Sequence, residues 1–289
     1  MPKFLGNIVA SKKLKNTHNI VLVLIYNINK MITASDYDYK DWEETFQKDI
    51  DLYSLAKKTQ WKDFFGKVSE AGMFTNIERI LTEERESHTN VFPYPDLIFN
   101  PFEHMGIDEV KVVFIGQDPY FNARYVNNKM VPEAMGVSFS VPIGIAIPPS
   151  LQNIYKNLLK YQNIMKMPTH GNLQSWISQG CMLMNTAMTV RKGEPKSHSC
   201  YWKLITDKII KYISNNTDGT VFVLWGADAY AKLELIDMDK HQVVISSHPS
   251  SRSCTTPLKS YPAFDDQDHF GMINDYLKEC GKTPIMWQI

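Results

Sequence analysis

Four short apolar runs constrain this chain more than any other feature. They are KVVFIG (111–116), CMLMN (181–185), TVFVLWG (220–226) and QVVISS (242–247). Each is nearly free of polar interruption, as a strand buried on both faces of a parallel sheet must be. Helical patterns lie between them. PPSLQNIYKNLLKY (148–161) carries Leu151, Ile154, Tyr155, Leu158 and Leu159 on one stripe, with Ser150 predicted as its N-cap. NLQSWISQG (172–180) ends in a glycine suited to a C-terminal cap. YWKLITDKIIKYI (201–213) and DDQDHFGMINDYLKECG (265–281) complete the set. Strands that alternate with helices predict a three-layer α/β/α fold around a central four-stranded parallel sheet.

Ligands of such sheets sit outside the carboxyl ends of the strands. The residues that follow each run are therefore the informative ones. They are Gln117-Asp118-Pro119-Tyr120, Asn185, Gly226-Ala227 and His248-Pro249-Ser250. Singly, each has an ordinary structural role: a turn aspartate, an asparagine bonded to local backbone, a packed histidine. An acid, a carboxamide and an imidazole at successive strand ends are the parts of an active site.

Other chemistries lack their signatures. There is no G-x-G-x-x-G, no G-x-x-x-x-G-K-[ST] and no H-E-x-x-H, and GVSFS (136–140) misses the second glycine of a nucleophile elbow. The four cysteines, Cys181, Cys200, Cys254 and Cys280, contain no C-x-x-C pair, so neither a metal nor another cofactor is expected. Lys plus Arg and Asp plus Glu both number 31, which disfavours a long phosphate-gripping stripe. It leaves open a grip built from amides and hydroxyls. HNIVLVLIYNI (18–28) is shorter than the roughly 20 residues that span a bilayer, so no membrane association is expected. It is expected to form a peripheral strand or an unstructured leader. Residues 1–57 are expected to be an N-terminal extension, partly flexible or peripheral, and residues 58–289 a single catalytic domain.

GQDPY, GVSFSV, PPSLQNIYKNL, HGNLQSW, MLMN, MTVRKGEPKSH, VLWG and HPSSRS occur in an order and spacing that resemble uracil-DNA glycosylases of the UNG-like family. The likeness runs from about Trp61 to Trp287. It implies a monofunctional hydrolase that flips uracil out of DNA and cleaves its N-glycosidic bond in base excision repair. Asp118 and His248 would be catalytic; Gln117, Tyr120, Phe139 and Asn185 would hold the uracil; Ser150, Gly226, Ser250, Arg252 and Ser253 would hold DNA. The implied partners of a monomer are uracil-containing single- or double-stranded DNA and a uracil-glycosylase inhibitor protein. The implied setting is intracellular, in nucleus or cytoplasm, including that of a virus-infected host cell.

The chain departs from the family pattern in five places, one of them a thinner proline-rich segment in which GIAI precedes Pro148 and Pro149. Phe121 stands where the family commonly has His, Ala227 where it has Ser, and Arg252 where a leucine wedges behind the flipped base. The segment 122–135 is longer than usual, with a solvated surface loop as its plainest form. These changes admit a second reading, a DNA-binding accessory protein with the glycosylase fold and weak activity. Asp118, Asn185, Tyr120 and His248 argue against it, and Tyr120 argues against a broader enzyme that accepts thymine.

Overall fold

The computed structural model describes residues 31–289, so the run at 18–28 lies outside the described residues. Its strands are β1 (Val91–Phe92), β2 (Val112–Gly116), β3 (Ala123–Val126), β4 (Lys129–Pro132), β5 (Cys181–Asn185), β6 (Val190–Arg191), β7 (Val221–Trp225) and β8 (Gln242–Ser246). The four apolar runs form one sheet in the order β5-β2-β7-β8, every neighbour parallel. All residues of β2, β5 and β7 are buried, which explains their unbroken apolar character.

Register places the functional edge. Gly116 lies opposite Asn185, and Trp225 opposite Ser246, so the four strands end in one row. One face of the sheet is closed by aromatic packing, with Phe114 ringed by Trp176, Trp225, Phe270 and Trp287 at centroid distances of 5.4–6.2 Å for Trp225, Trp176 and Trp287 and 6.5 Å for Phe270. Helix Asn100–His104 packs against β5. It belongs to a second aromatic cluster of Phe65, Phe99, Phe102 and Trp202.

The helices fall where the periodicity puts them, with shifted ends. They are Pro149–Lys160, Gln174–Ile177, Ser199–Asn216 and His269–Glu279. Ser150 is not the N-cap: Pro148 holds that place with extended backbone, and no side chain caps the helix. Proline at the first helical position has its φ preset and lacks an amide that would need a cap. Ser150 is thereby released from the helix end. The long segment after Phe121 is also more ordered than a loop. β3 and β4 pair antiparallel around Asn127 and Asn128, both at positive φ, 50° and 62°. Two left-handed residues form the turn that matches the twist of a tight hairpin, and asparagine tolerates it.

Residues 31–57 share the core. Ile32, Tyr37, Trp42, Leu52 and Leu55 belong to the same buried cluster as the sheet. Backbone bonds from Ala34 N to Ile143 O (2.7 Å) and from Ile143 N to Ile32 O (3.0 Å) brace the segment that leads into Pro148–Pro149. Trp42 donates its indole N–H to Val91 O (3.1 Å) and Pro93 O (3.3 Å). No helix among the described residues is long and apolar enough to cross a membrane.

If this segment is integral to the fold, Trp42→Ala removes a buried aromatic worth about 3–5 kcal/mol. Urea denaturation is then expected to show that loss in a single cooperative transition. A loss under about 1 kcal/mol would mean that the segment is a detachable appendage.

Candidate active site

A cavity of about 200 Å³ opens at the end of the sheet. It is smaller than the usual drug-sized pocket of roughly 300–1,000 Å³ and suits one small heterocycle. Its walls include Gln117, Asp118, Pro119, Tyr120, Phe139, Ser150, Asn185 and His248. Residues more than a hundred positions apart in sequence thus meet in one hollow. Gly226, Ser250, Arg252 and Ser253 do not line it.

The β2–β5 register makes the first part. A Cβ built on Gly116 would stand 2.2 Å from Asn185 Oδ1 and 3.0 Å from Ser138 Cβ. Gly116 is therefore needed for the space that Asn185 occupies, and its φ is not in the left-handed region. Asn185 is 8% exposed, and among the described residues its amide has no hydrogen-bond partner. A buried amide without a partner is costly unless a ligand completes it. The strand end is tied down on both sides. Thr186 N donates to Gly116 O (2.9 Å), and Ala187 N (3.1 Å) and Thr186 Oγ1 (2.6 Å) donate to Gln117 O. With its carbonyl occupied, the Gln117 backbone has only its N–H to offer a base.

Asp118 follows at once. Its Oδ1 accepts from Gln117 Nε2 (2.8 Å), and its Oδ2 accepts from the Lys196 backbone N–H (2.7 Å). Burial raises its pKa above the ordinary carboxylate value, the two hydrogen bonds and the Lys196 charge oppose this, and Asp228 adds to it. Lys196 reaches this position in a left-handed conformation, φ 65°, with its Nζ on Asp228 at 2.9 and 3.1 Å.

The aromatic walls are locked by backbone. Tyr120 donates its hydroxyl to Phe139 O (3.2 Å), and burial pushes its pKa far up, so it is a neutral wall. Phe139 holds φ 64°, unusual for a bulky residue, and packs edge-on to Trp225 at 5.6 Å. Strain of this kind persists only where the surroundings impose it.

His248 closes the ring 6.0 Å from Phe139. Its Nδ1 accepts from Ser250 N (3.0 Å), which leaves the ring proton on Nε2. Burial lowers its pKa to about 4, with Asp228 opposing, so the imidazole is neutral at pH 7. Asn153 Nδ2 holds the same loop through Pro249 O (2.9 Å).

The expected DNA-contacting residues are differently placed. Ser150 lines the cavity. The Gly226 N–H, expected to meet phosphate, donates to Ser246 O (3.0 Å), just past the Trp225–Ser246 rung of the β7–β8 ladder. Gly226, at φ 87°, instead gives His248 room: a Cβ there would lie 2.8 Å from His248 Cβ. Ser250 Oγ and Ser253 Oγ bond each other (2.8 Å), and Ser253 also donates to His248 O (3.2 Å). Arg252 is exposed at the tip of that loop. Sequence reasoning missed Lys196, Asp228 and Asn153; the HPSSRS and KGEPKSH strings contain or abut their partners but do not show the contacts.

Fold and site together define a base-excising hydrolase: an aspartate, a neutral imidazole and a carboxamide surround a cavity for one heterocycle. Residues 103–278 match the uracil DNA glycosylase superfamily. The probable uracil-DNA glycosylase of Acanthamoeba polyphaga mimivirus is 38% identical over 271 residues, covering 90% of this chain and 72% of that protein. The uracil-DNA glycosylase of Escherichia coli K12 is 38% identical over 234 residues, covering 81% and 96%. The crystal structure of mimivirus uracil-DNA glycosylase superposes with TM-score 0.85 over 90% of this chain and 97% of that one. The chain belongs to the uracil-DNA glycosylase superfamily.

The charges facing Asp118 are Lys196 and Asp228, with neutral His248 across the cavity. If Asp118 acts as a carboxylate, its protonation sets an acid limb of the activity. Asp228→Asn removes a charge that favours protonation and is expected to move that limb to lower pH, most clearly at low salt. Lys196→Met keeps the backbone N–H and is expected to move it upward. The kcat/KM–pH profile checks both; shifts of the same sign would refute the assignment.

Proposed function

We propose that this chain, acting as a monomer, removes uracil from single- and double-stranded DNA by hydrolysis of the bond between deoxyribose C1′ and uracil N1. The observation that carries this reading is the unpartnered Asn185 amide in a small cavity shared with Asp118 and His248.

The target base must first leave the stack, at a cost of a few kcal/mol. Inside, the Asn185 amide accepts from uracil N3–H and donates to O4. Cytosine presents the reverse pattern and leaves both groups unpaired, and a site of this kind discriminates by about 10⁴–10⁵. The Tyr120 ring, fixed by its bond to Phe139 O, stands against C5 and excludes the methyl of thymine. Phe139 stacks on the base, worth about 1–3 kcal/mol.

Bond cleavage makes a cationic sugar and a uracil anion. Neutral His248 donates from Nε2 to uracil O2 as charge gathers there, and a preorganised donor of this kind is worth roughly 3–4 kcal/mol. Asp118 acts as a carboxylate. It orients the attacking water and faces the developing positive charge. Phe121 supplies no polar group to that water, so the Gln117 and Lys196 bonds carry the positioning of Asp118.

Ser150, Ser250 and Ser253 are assigned to flanking phosphates, with the Ser250–Ser253 bond exchanged for phosphate on binding, and Arg252 to the space behind the flipped base. A mimivirus relative has been crystallised with UGI. A protein inhibitor of that kind is a proposed partner here, and residues 58–289, with 31–57 packed on them, are the proposed catalytic unit.

Cleavage of a uracil-containing oligonucleotide, resolved on a gel after alkali, tests the reading. Asp118→Asn and His248→Leu are each expected to lower kcat at least about a hundredfold while binding to abasic DNA is kept. A wild-type chain that leaves the uracil strand intact would overturn it in favour of a DNA-binding accessory role.

A further inference from the structure

The β3–β4 hairpin takes no part in the chemistry above, yet it is rooted in the cavity wall. The chain leaves the cavity at Phe121 and returns to it at Ala134, and both line it. The root is closed by Glu133 N donating to Asn122 O (3.0 Å) and by Gly193 N donating to Phe121 O (2.9 Å). The arm is braced along its length. Tyr94 donates its hydroxyl to Met130 O (3.3 Å), and Lys129 Nζ meets Asp38 Oδ1 at 3.1 Å. Four paired residues on each side of the Asn127–Asn128 turn make an arm of about 13 Å.

What the arm presents is unusual for this molecule. Tyr125 is 76% exposed, and no other Phe, Trp or Tyr among the described residues is left so far in solvent. Arg124, which points to the opposite face of the hairpin with its register partner Val131, is 61% exposed along its side chain, and Glu133 lies 3.7 Å from it. Lys192, also exposed, sits on the Tyr125 flank with its Nζ 3.6 Å from Met130 Sδ. A bare ring gains nothing from water, and a rigid backbone presents it at little entropic cost. Exposed rings interleaved with cations are the means by which proteins hold single-stranded nucleic acid, the ring on a base and the cation on a phosphate.

We propose that the β3–β4 hairpin binds the DNA strand that runs away from the flipped uracil, with Tyr125 stacked on an unpaired base where the strand crosses the arm, and Lys192 and Arg124 on phosphates to either side. The proposal rests on the uracil-excision reading, whose cavity supplies the fixed end of that strand. At 3.4 Å per nucleotide of a duplex strand, the arm spans about four nucleotides. It therefore acts on extended substrates and not on the shortest ones, and on single strands more than on duplexes.

Two single-stranded substrates separate these terms: uracil with one nucleotide on each side, and the same uracil extended on its 5′ or its 3′ side beyond the arm's reach. Tyr125→Ala and Arg124→Ala, both at exposed positions, are expected to leave kcat and KM on the short substrate unchanged. On one of the two extended substrates KM is expected to rise about tenfold for Tyr125→Ala. Arg124→Ala is expected to reduce the slope of log KM against log salt by about 0.7 on that substrate, one phosphate contact fewer. Unchanged KM on every substrate overturns the proposal and assigns the face to a protein partner. An equal change on short and extended substrates also overturns it, since the damage would then lie in the cavity. A wild type inactive on all uracil strands would be the failure of the excision reading instead. Fluorescence anisotropy on a uracil-free single strand then decides for the hairpin: a Kd about tenfold weaker in Tyr125→Ala supports it, and an unchanged Kd refutes it.

Discussion

The whole site depends on one close approach, that of the Asn185 side chain to the bare Cα of Gly116. Parallel pairing of β2 and β5 puts these two residues opposite each other at the last rung of the ladder. Any side chain at 116 would occupy the place of Asn185 Oδ1. The glycine therefore does more than end a strand. It makes room for a side-chain amide at the cavity wall that no side-chain hydrogen bond among the described residues engages. The next residue, Gln117, has its carbonyl held by Thr186 and Ala187, and this fixes where Asp118 begins.

Around that fixed point the electrostatics are local. The chain as a whole is neutral, and the site is not a basic trough. Its two reactive groups are tuned by their immediate surroundings. His248 is kept neutral by burial and is set in one tautomer by the Ser250 N–H. Asp118 resists the same burial through two hydrogen bonds, one of them from a lysine backbone in the left-handed conformation. A neutral donor beside a carboxylate serves a reaction in which positive charge grows on the sugar and negative charge on the base. Each charge then meets the group suited to it.

Much of this was legible in the sequence, for a physical reason. Strands buried on both faces must be apolar throughout, so β2, β5, β7 and β8 stand out as runs, and polar residues just past them fall at one edge. Contacts between distant segments were not legible. Lys196 and Asp118 are separated by 78 residues, and Asn153 and Pro249 by 96, with no local pattern to join them. Ser150 was misread as a cap because a serine before an apolar stripe satisfies the capping rule, whereas the two prolines before it set the helix start. The bond from the Gly226 N–H to Ser246 O was not legible either, because an apolar run does not show where its ladder of hydrogen bonds stops. The hairpin at 123–132 escaped notice because charged and amide residues interrupt its alternation, and its turn is Asn-Asn with no glycine.

The most direct test of this account is the Gly116→Ala enzyme, assayed on uracil-containing DNA beside its thermal unfolding. The added methyl meets Asn185 Oδ1 and also Ser138 Cβ at 3.0 Å, so Asn185 must swing away and the Ser138 segment must give slightly, and the fold is expected to survive with a modestly lowered Tm. The displaced amide can no longer read the base, and kcat/KM is expected to fall at least about a hundredfold, the scale on which a site loses a buried hydrogen-bond match. A Gly116→Ala chain that cleaves uracil DNA at the wild-type rate would contradict the account.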